Sequence, residues 1–327
     1  MVSALRGPVQ CLAQCNLPWL GTIDYFRMVA GNAACPSGTG VTFVYGLPFF
    51  RHTIESLDAY LGCADLFDDD YSRFTLFSML NYRLTANPNF LAQCAVGYNA
   101  ERAMRDSYIF NRSFFNFSDE EVLVDGGAFD GDSIEQFLRA VRGKFRRIYA
   151  FEPSEEQAAR CEQRVRRLQL LSVNEIASRI SVHTKGLWSS ATRLTFNPSL
   201  FAAEELAFVE SAPLSGHVVG AGFNGHMYRP EVEEANAIQI NTTTVDDACG
   251  EEATLLKLEV EGSELEALRG STRTIEKMRP KMSLAIYHKP EDYLTLTNFV
   301  RETKKGYRMS LRQHNPLLPD ATVCYCY

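Results

Sequence analysis

The stretch Glu121-Val122-Leu123-Val124-Asp125-Gly126-Gly127-Ala128-Phe129-Asp130-Gly131-Asp132-Ser133 decides how the rest of the chain is read. Its first five residues form a short apolar strand and its glycines a turn. A helix follows, with Ile134, Phe137, Leu138 and Val141 on one face. Gly126, Gly127 and Gly131 let the backbone pass close to a ligand, and the helix N-terminus offers free N–H groups. Glycine turns between strand and helix also serve as plain connections, so the surrounding residues have to decide.

Outward from this unit, strands and helices alternate. Arg147–Phe151 is the next strand, ending at Glu152-Pro153, and the helix after it opens with a capping box of Ser154 and Gln157. Ser263 and Glu266 repeat that pattern. Further strands are expected at 180–182, 255–259 and 282–287, with helices at 264–268 and 291–302. Two closing strands, 307–311 and 322–327, have no helix between them. Alternation argues for an α/β fold with a parallel sheet covered on both faces, and the final pair for an antiparallel end.

The first 118 residues differ: they hold no lysine and 20 of the 37 aromatic residues. Helical spacing of Ile54, Leu57, Tyr60 and Leu61, and of Phe74, Phe77 and Leu80, predicts a mainly helical accessory region with its aromatics in a core. Asp68-Asp69-Asp70 reads as a loop or helix start. The expected division is therefore 1–118 and 119–327. Within the second part, residues 197–239 are rich in Gly, Ser, Ala and Pro, yet carry Phe201, Phe208, Phe223, Met227 and Tyr228. That mixture suggests an insertion acting as a lid over a ligand.

Composition sets outer limits. Of 327 residues 46% are hydrophobic and 22% charged, and 40 acids against 33 bases give a net charge of −7. That balance argues against nucleic acid and basic membrane contacts as partners, and no 18-residue apolar run could span a bilayer. Met1–Leu20 makes a poor secretory signal, and the nine cysteines include no CxxC or zinc-ligand spacing, so reduced thiols in a cytoplasmic protein and no bound metal are expected.

Three groups of residues could carry chemistry. Glu152, at the end of the second strand, is placed to accept hydrogen bonds from ribose hydroxyls. Both NAD and S-adenosylmethionine have a ribose, so the turn's own charge must discriminate. Asp125, Asp130 and Asp132 lie within eight residues, a poor setting for a pyrophosphate and a good one for an ammonium and a sulfonium. An NAD-dependent oxidoreductase is accordingly disfavoured against use of S-adenosylmethionine. The second group is Lys257-Leu258-Glu259-Val260-Glu261, where an extended segment would point Glu259 and Glu261 to one face, to hold a cation or metal or to act as a base. A plain alternative pairs Glu259 with Lys257. The third is Tyr287-His288-Lys289-Pro290, whose histidine has a near-neutral pKa suited to accepting a hydroxyl proton. His183, Gly186 and Trp188 follow the third strand, and Trp188 would cover an adenine or fill the core.

Taken jointly, VDGGAFDGDS (124–133), AFEP (150–153), GLWS (186–189), TTVDDA (243–248), LKLEVEGSELEALRG (256–270) and IYHKPEDY (286–293) resemble the FkbM family of S-adenosylmethionine-dependent methyltransferases. The resemblance covers about 119–327 in the family's order. It implies a Rossmann-like class I methyltransferase fold, a seven-stranded, mostly parallel sheet with its last strand antiparallel. It also implies that Asp125, Gly126, Gly127, Ala128, Asp132 and Ser133 cradle the methionine part. Glu152 and Pro153 would then hold the ribose, Gly186, Leu187 and Trp188 approach the adenine, and Glu259 stand on the donor side. The family usually has Asp at position 259, so the carboxylate here is displaced by about one bond length, roughly 1.5 Å.

The expected activity is O-methylation of a sugar or a polyketide- or macrolide-type secondary metabolite, with S-adenosylhomocysteine as co-product. His288 is the expected base and Glu261 the residue orienting the acceptor. N-methylation of a peptide amide and a non-catalytic nucleotide-binding module are the alternatives. Association of copies through the aromatic-rich first region is a further expectation.

Overall fold

A computed structural model describes residues 47–85, 87, 89–95, 109–170, 174–196, 227–228, 238–316, 319 and 321–327. Among the described residues four helices come first: α1 (Leu47–Glu55), α2 (Leu57–Ala64), α3 (Asp70–Thr85) and α4 (Asn89–Cys94). Then follow β1 (Val122–Gly126), α5 (Asp132–Ala140), β2 (Arg147–Phe151), α6 (Glu155–Leu170), α7 (Asn174–Ala177), β3 (Ile180–His183), β4 (Gly186–Leu187), β5 (Arg193–Phe196), β6 (Met227–Tyr228) and β7 (Ile238–Thr243). The chain continues through α8 (Val245–Cys249), β8 (Leu255–Leu258), α9 (Glu264–Arg269), α10 (Thr272–Met278), β9 (Lys281–Ala285), α11 (Asp292–Thr303), β10 (Met309–Gln313) and β11 (Thr322–Cys326).

The main sheet has seven strands in the order β3-β2-β1-β8-β9-β11-β10. Neighbours from β3 to β9 pair in parallel, whereas β11 is antiparallel to both β9 and β10. The last strand thus slots between the two that precede it, and this order, unlike the all-parallel dinucleotide sheet, is that of a class I methyltransferase-like fold. β1 and β8 are buried along their whole length, as central parallel strands must be. Alternate residues feed two cores. Val124, Leu256, Met282 and Cys324 join one with α1–α4 and α9–α11 residues, and Leu123, Leu255, Val323 and Tyr325 join another with Phe137, Cys161 and the 109–117 aromatics.

The first helical region is therefore built into the sheet's own core. Its acid run is the fastening. Asp69 accepts from the Ser72 amide at 2.8 Å at the start of α3 and from Ser310 Oγ at 2.8 Å on β10, while Asp68 pairs with Arg308. Helix α3 covers the outer edge of β10, which would otherwise offer unpaired backbone groups. The spacing-based core of this region needs partial correction: Tyr60 and Leu80 are buried as expected, but Leu57, Leu61, Phe74 and Phe77 are 45%, 50%, 43% and 37% exposed, and Cys63, Leu76 and Met79 are buried beside Tyr60 and Leu80. Ser56 interrupts the first helical run, so residues on either side of it do not share one continuous face.

A second, four-stranded sheet, β4-β7-β5-β6, was not anticipated. Its antiparallel β5–β7 pair (Arg193 opposite Asn241, Phe196 opposite Ile238) brackets most of the expected lid. Residues 197–226 and 229–237 of that segment lie outside the described residues, while Met227–Tyr228 and Ile238–Gln239 are strand. Ser154 caps α6 as expected, accepting from the Gln157 amide at 3.4 Å. Ser263 does not cap α9, and Glu266 pairs instead with Arg269. No helix among the described residues is long and apolar enough to cross a membrane.

Candidate active site

β1 and β8 run side by side with Asp125 beside Lys257, and this register builds the centre of the site. Both side chains are sealed from solvent. Lys257 Nζ donates to the carbonyls of Gly127 (2.6 Å) and Gly126 (3.1 Å), and lies 3.3 Å from Asp125 Oδ1 and 3.7 Å from Glu259 Oε2. Burial alone would push the ammonium's pKa down, but the Asp125, Glu259 and Asp132 carboxylates outweigh it and raise it above the ordinary lysine value. Lys257 therefore stays charged and clamps the turn from beneath. Sequence reading named it only as a partner for Glu259. A lone cation inside the apolar run Leu255–Leu258 was the available signal, because lysine is almost never buried unpaired.

Around this cation the glycine turn takes its shape. Gly127 has φ +72, and a Cβ there would lie 1.9 Å from the Glu259 carbonyl oxygen. The close approach that requires glycine is thus to the protein's own backbone. Gly126 packs against Leu187, Leu258 and Val260 side chains, which brings the Gly186–Trp188 segment beside the turn. The Gly127 and Ala128 amides both donate to the Phe151 carbonyl at 3.0 Å. Ser133 Oγ donates to Asp125 Oδ2 at 2.5 Å, tying the start of α5 to the end of β1.

Glu152 is 2% exposed, and its two carboxylate oxygens accept from the amides of Phe129 (3.0 Å) and Ser154 (2.9 Å). Burial raises its pKa, with the two amides opposing. A carboxylate has lone pairs left after two such bonds. Pro153 is half-buried beside it. Trp188 is half-buried, its amide donating to the Thr243 carbonyl at 3.0 Å, and its carbonyl lies where a Cβ on Gly270 would come within 2.1 Å. Asp132 is exposed at the start of α5, while Asp130 is paired with Arg164.

Glu259 and Glu261 do not share a face. The strand stops at Leu258, and Glu261 and Gly262 take left-handed conformations with φ of 54 and 89. Glu259 accepts from Tyr287 Oη at 3.0 Å, whereas Glu261 turns to His288, with 3.2 Å between Oε2 and Nε2. The other ring nitrogen, Nδ1, lies 2.9 Å from Glu264 Oε1, a carboxylate that also accepts from the Val260 amide at 2.8 Å. His288 is 5% exposed. Burial works against its charge, but Glu264 and Glu261 lift its pKa well above the ordinary imidazole value. The two flanking carboxylates thus favour its imidazolium form. Of the three, Glu261 is the most open, at 12% side-chain exposure against 4% and 1% for His288 and Glu264. Glu264, read from sequence as an ordinary helix residue, is the third member. Nothing in its spacing marks it, because its contact with His288 crosses from α9 to the end of β9.

The donor set fits the methyl donor. Five carboxylates (Asp125, Asp130, Asp132, Glu152, Glu259) face two cations (Lys257, Arg164) around the turn, leaving an acidic cradle suited to an ammonium and a sulfonium. Among the described residues no three His, Cys, Asp or Glu side chains are grouped to hold a metal ion.

Sheet order and cradle together define a class I, S-adenosylmethionine-dependent methyltransferase domain. A protein-family model, the methyltransferase FkbM domain, matches residues 125–309, and the chain belongs to that family. The crystal structure of methyltransferase FkbM from Methylobacillus flagellatus KT is 26% identical, with a TM-score of 0.66. The match covers 86% of this chain and 61% of that one, so the chain spans about three-fifths of that relative's length. A precorrin-6y C5,15-methyltransferase from Geobacter metallireducens GS-15 is 11% identical over 69% of this chain and 86% of its own, with a TM-score of 0.36. A putative rRNA-methylase from Clostridium thermocellum is 9% identical over 63% and 86%, with a TM-score of 0.35. No curated protein matches the chain.

Proposed function

We propose that this protein transfers a methyl group from S-adenosylmethionine to a hydroxyl of a sugar or of a polyketide- or macrolide-type metabolite. The observation that carries the acceptor side of this reading is the Glu261–His288–Glu264 array at the ends of β8 and β9, next to the Lys257 cradle. Ligands of open α/β sheets sit outside such strand ends. When bound, the cofactor supplies an electrophilic methyl group and is left as S-adenosylhomocysteine. Asp125 and Asp132 would hold its methionine end, Glu152 and Pro153 its ribose, and Gly186–Trp188 its adenine, with Glu259 fixed by Tyr287 on the donor side.

Positioning the acceptor oxygen in line contributes most of the acceleration. As the new C–O bond forms, the hydroxyl proton becomes strongly acidic, so a carboxylate is a sufficient acceptor. Glu261 takes that proton. His288, charged and held by Glu264, keeps the Glu261 carboxylate aimed and compensates its charge, which exchanges the roles expected from sequence. Neither end of the array needs a metal. A cytoplasmic setting is supported by the six described cysteines, all unpaired and buried. Incubation with methyl-labelled S-adenosylmethionine and fractionated host extract, followed by identification of the labelled product, tests the reading. A labelled hydroxyl-bearing metabolite is expected. A labelled peptide amide would replace the acceptor class, and donor binding without any labelled product would favour a binding module.

A further inference from the structure

The loop carrying His288 is gripped from its far side by the first helical region. Tyr60 Oη, on α2, donates to the Pro290 carbonyl at 2.7 Å. Arg83 Nη1, on α3, donates to the same carbonyl at 2.8 Å and to Tyr60 Oη at 3.1 Å. Two side chains 230 and 207 residues away thus converge on one backbone oxygen, two residues after His288. Neither is incidental surface: Tyr60 is 0% and Arg83 4% exposed. The guanidinium is stacked over Phe49 and Tyr293, with 4.9 and 4.4 Å to the ring centres, and His52 Nδ1 meets Tyr60 Oη at 2.9 Å. Within the loop, the Lys289 amide donates to Asp292 Oδ2 at 2.6 Å, closing the turn around Pro290.

Holding a helix against a sheet calls for apolar contact, which Phe49, Leu76 and Met79 already supply. Burying a guanidinium is a costly way to add more. It is an effective way to fix one carbonyl, because two donors define its direction as well as its distance. We propose that Tyr60 and Arg83 are positioning residues of the acceptor site, setting the Pro290 carbonyl and hence the placement of His288 between Glu261 and Glu264. The accessory helices are then part of the catalytic apparatus. This rests on the acceptor-side reading of the Glu261–His288 pair.

The test follows the ring nitrogens of His288 by NMR in the full chain with labelled histidine, assigned by His288→Gln. The ring is faced by Glu261 and Glu264, by the Tyr287 ring at 4.2 Å, by Lys289 of its own loop and by Asp292 at the start of α11. Behind the loop stand Arg83, Tyr60, His52, Glu291 and Tyr293. In the wild type the ring should keep both protons well above the pH at which an ordinary histidine loses one. In Tyr60→Phe and in Arg83→Met its titration midpoint should fall by at least one pH unit, while Arg83→Lys should restore much of the loss. The sign discriminates. Removing a neighbouring cation by Coulomb effect alone would raise the midpoint, and Tyr60→Phe removes no charge. A midpoint unchanged or raised in folded variants overturns the positioning role. A wild-type ring that titrates as an ordinary histidine overturns the acceptor-side reading itself, whatever the variants do. S-adenosylhomocysteine affinity, measured by calorimetry, should be unchanged in Tyr60→Phe, and this variant, which keeps the buried ring, answers the question if Arg83→Met does not fold.

Discussion

Replacing Lys257 by Met tests whether a buried cation organises the cradle. The substitution keeps most of the side-chain volume and removes the ammonium that lies 3.3 Å from Asp125 and 2.6 Å from the Gly127 carbonyl. Asp125, itself 0% exposed, would be left with Ser133 Oγ as its hydrogen-bond donor, the Gly127 carbonyl would lose the bond from Lys257, and the Gly126 carbonyl would keep only the Glu259 amide. At an effective dielectric of about 20, a pair at this distance is worth about 5 kcal/mol, and breaking buried pairs costs about 3–5 kcal/mol. Against a typical stability of about 5–15 kcal/mol, that is a large fraction. Urea unfolding should show a midpoint lowered by about 1.5–2.5 M for a slope of about 2 kcal/mol/M. Much of the loss should return in the double variant Lys257→Met/Asp125→Asn, which removes the orphaned charge. A loss below about 1 kcal/mol, or no recovery in the double variant, would refute the clamp.

Four other outcomes are expected. Gly127→Ala should abolish measurable S-adenosylhomocysteine binding, since the new Cβ meets the Glu259 carbonyl at 1.9 Å and φ is +72; calorimetry showing wild-type affinity would contradict this. Glu152→Ala should weaken cofactor affinity by about 1.5–3 kcal/mol, the worth of charge-assisted bonds, and unchanged affinity would leave Glu152 only its latch between Phe129 and Ser154. Burial, with Glu264 nearby, raises the Asp292 pKa from 3.8 to about 7. The folded wild type should therefore lose stability as pH rises from about 4 to 7, and Asp292→Asn should gain on it over that window by up to about 4 kcal/mol, read from denaturation at pH 4 and 8. Glu261→Gln should reduce turnover on the identified acceptor by about 10²–10⁴-fold with donor affinity intact, and a change below threefold would remove Glu261 from the proton transfer.

The strands of the main sheet were legible because each is an apolar run bounded by Gly, Pro or charge, and their expected limits differ from the observed ones by no more than two residues, with Arg147–Phe151 matched at both ends. The glycine turn and Glu152 were legible because their signal is local. Lys257 was named but undervalued, since its meaning lies in the β1–β8 register, which joins residues 132 apart in sequence. Glu264 and Arg83 were invisible for the same reason, as their partners His288 and Pro290 come from the loop that follows β9. Exposed Leu57 and Phe74 show the opposite failure. A three- and four-residue spacing reports that a helix has an apolar face, but not which residues a neighbouring sheet will cover. The second sheet escaped notice because β4 and β6 are two residues each, too short for any alternation to register.

The placement of β11 between β9 and β10 bears on how the chain assembles during synthesis. The seven-stranded sheet cannot close until Thr322–Cys326 has left the ribosome, and until then β9 presents an open edge. α3, made some 240 residues earlier, has its main fastening on β10. These helices must therefore wait for strands made some 240 residues later, a high-contact-order closure of the kind that slows folding and leaves apolar surface and strand edges exposed meanwhile. Chaperone dependence during expression, and aggregation of chains shortened before residue 322, are the natural costs of this topology.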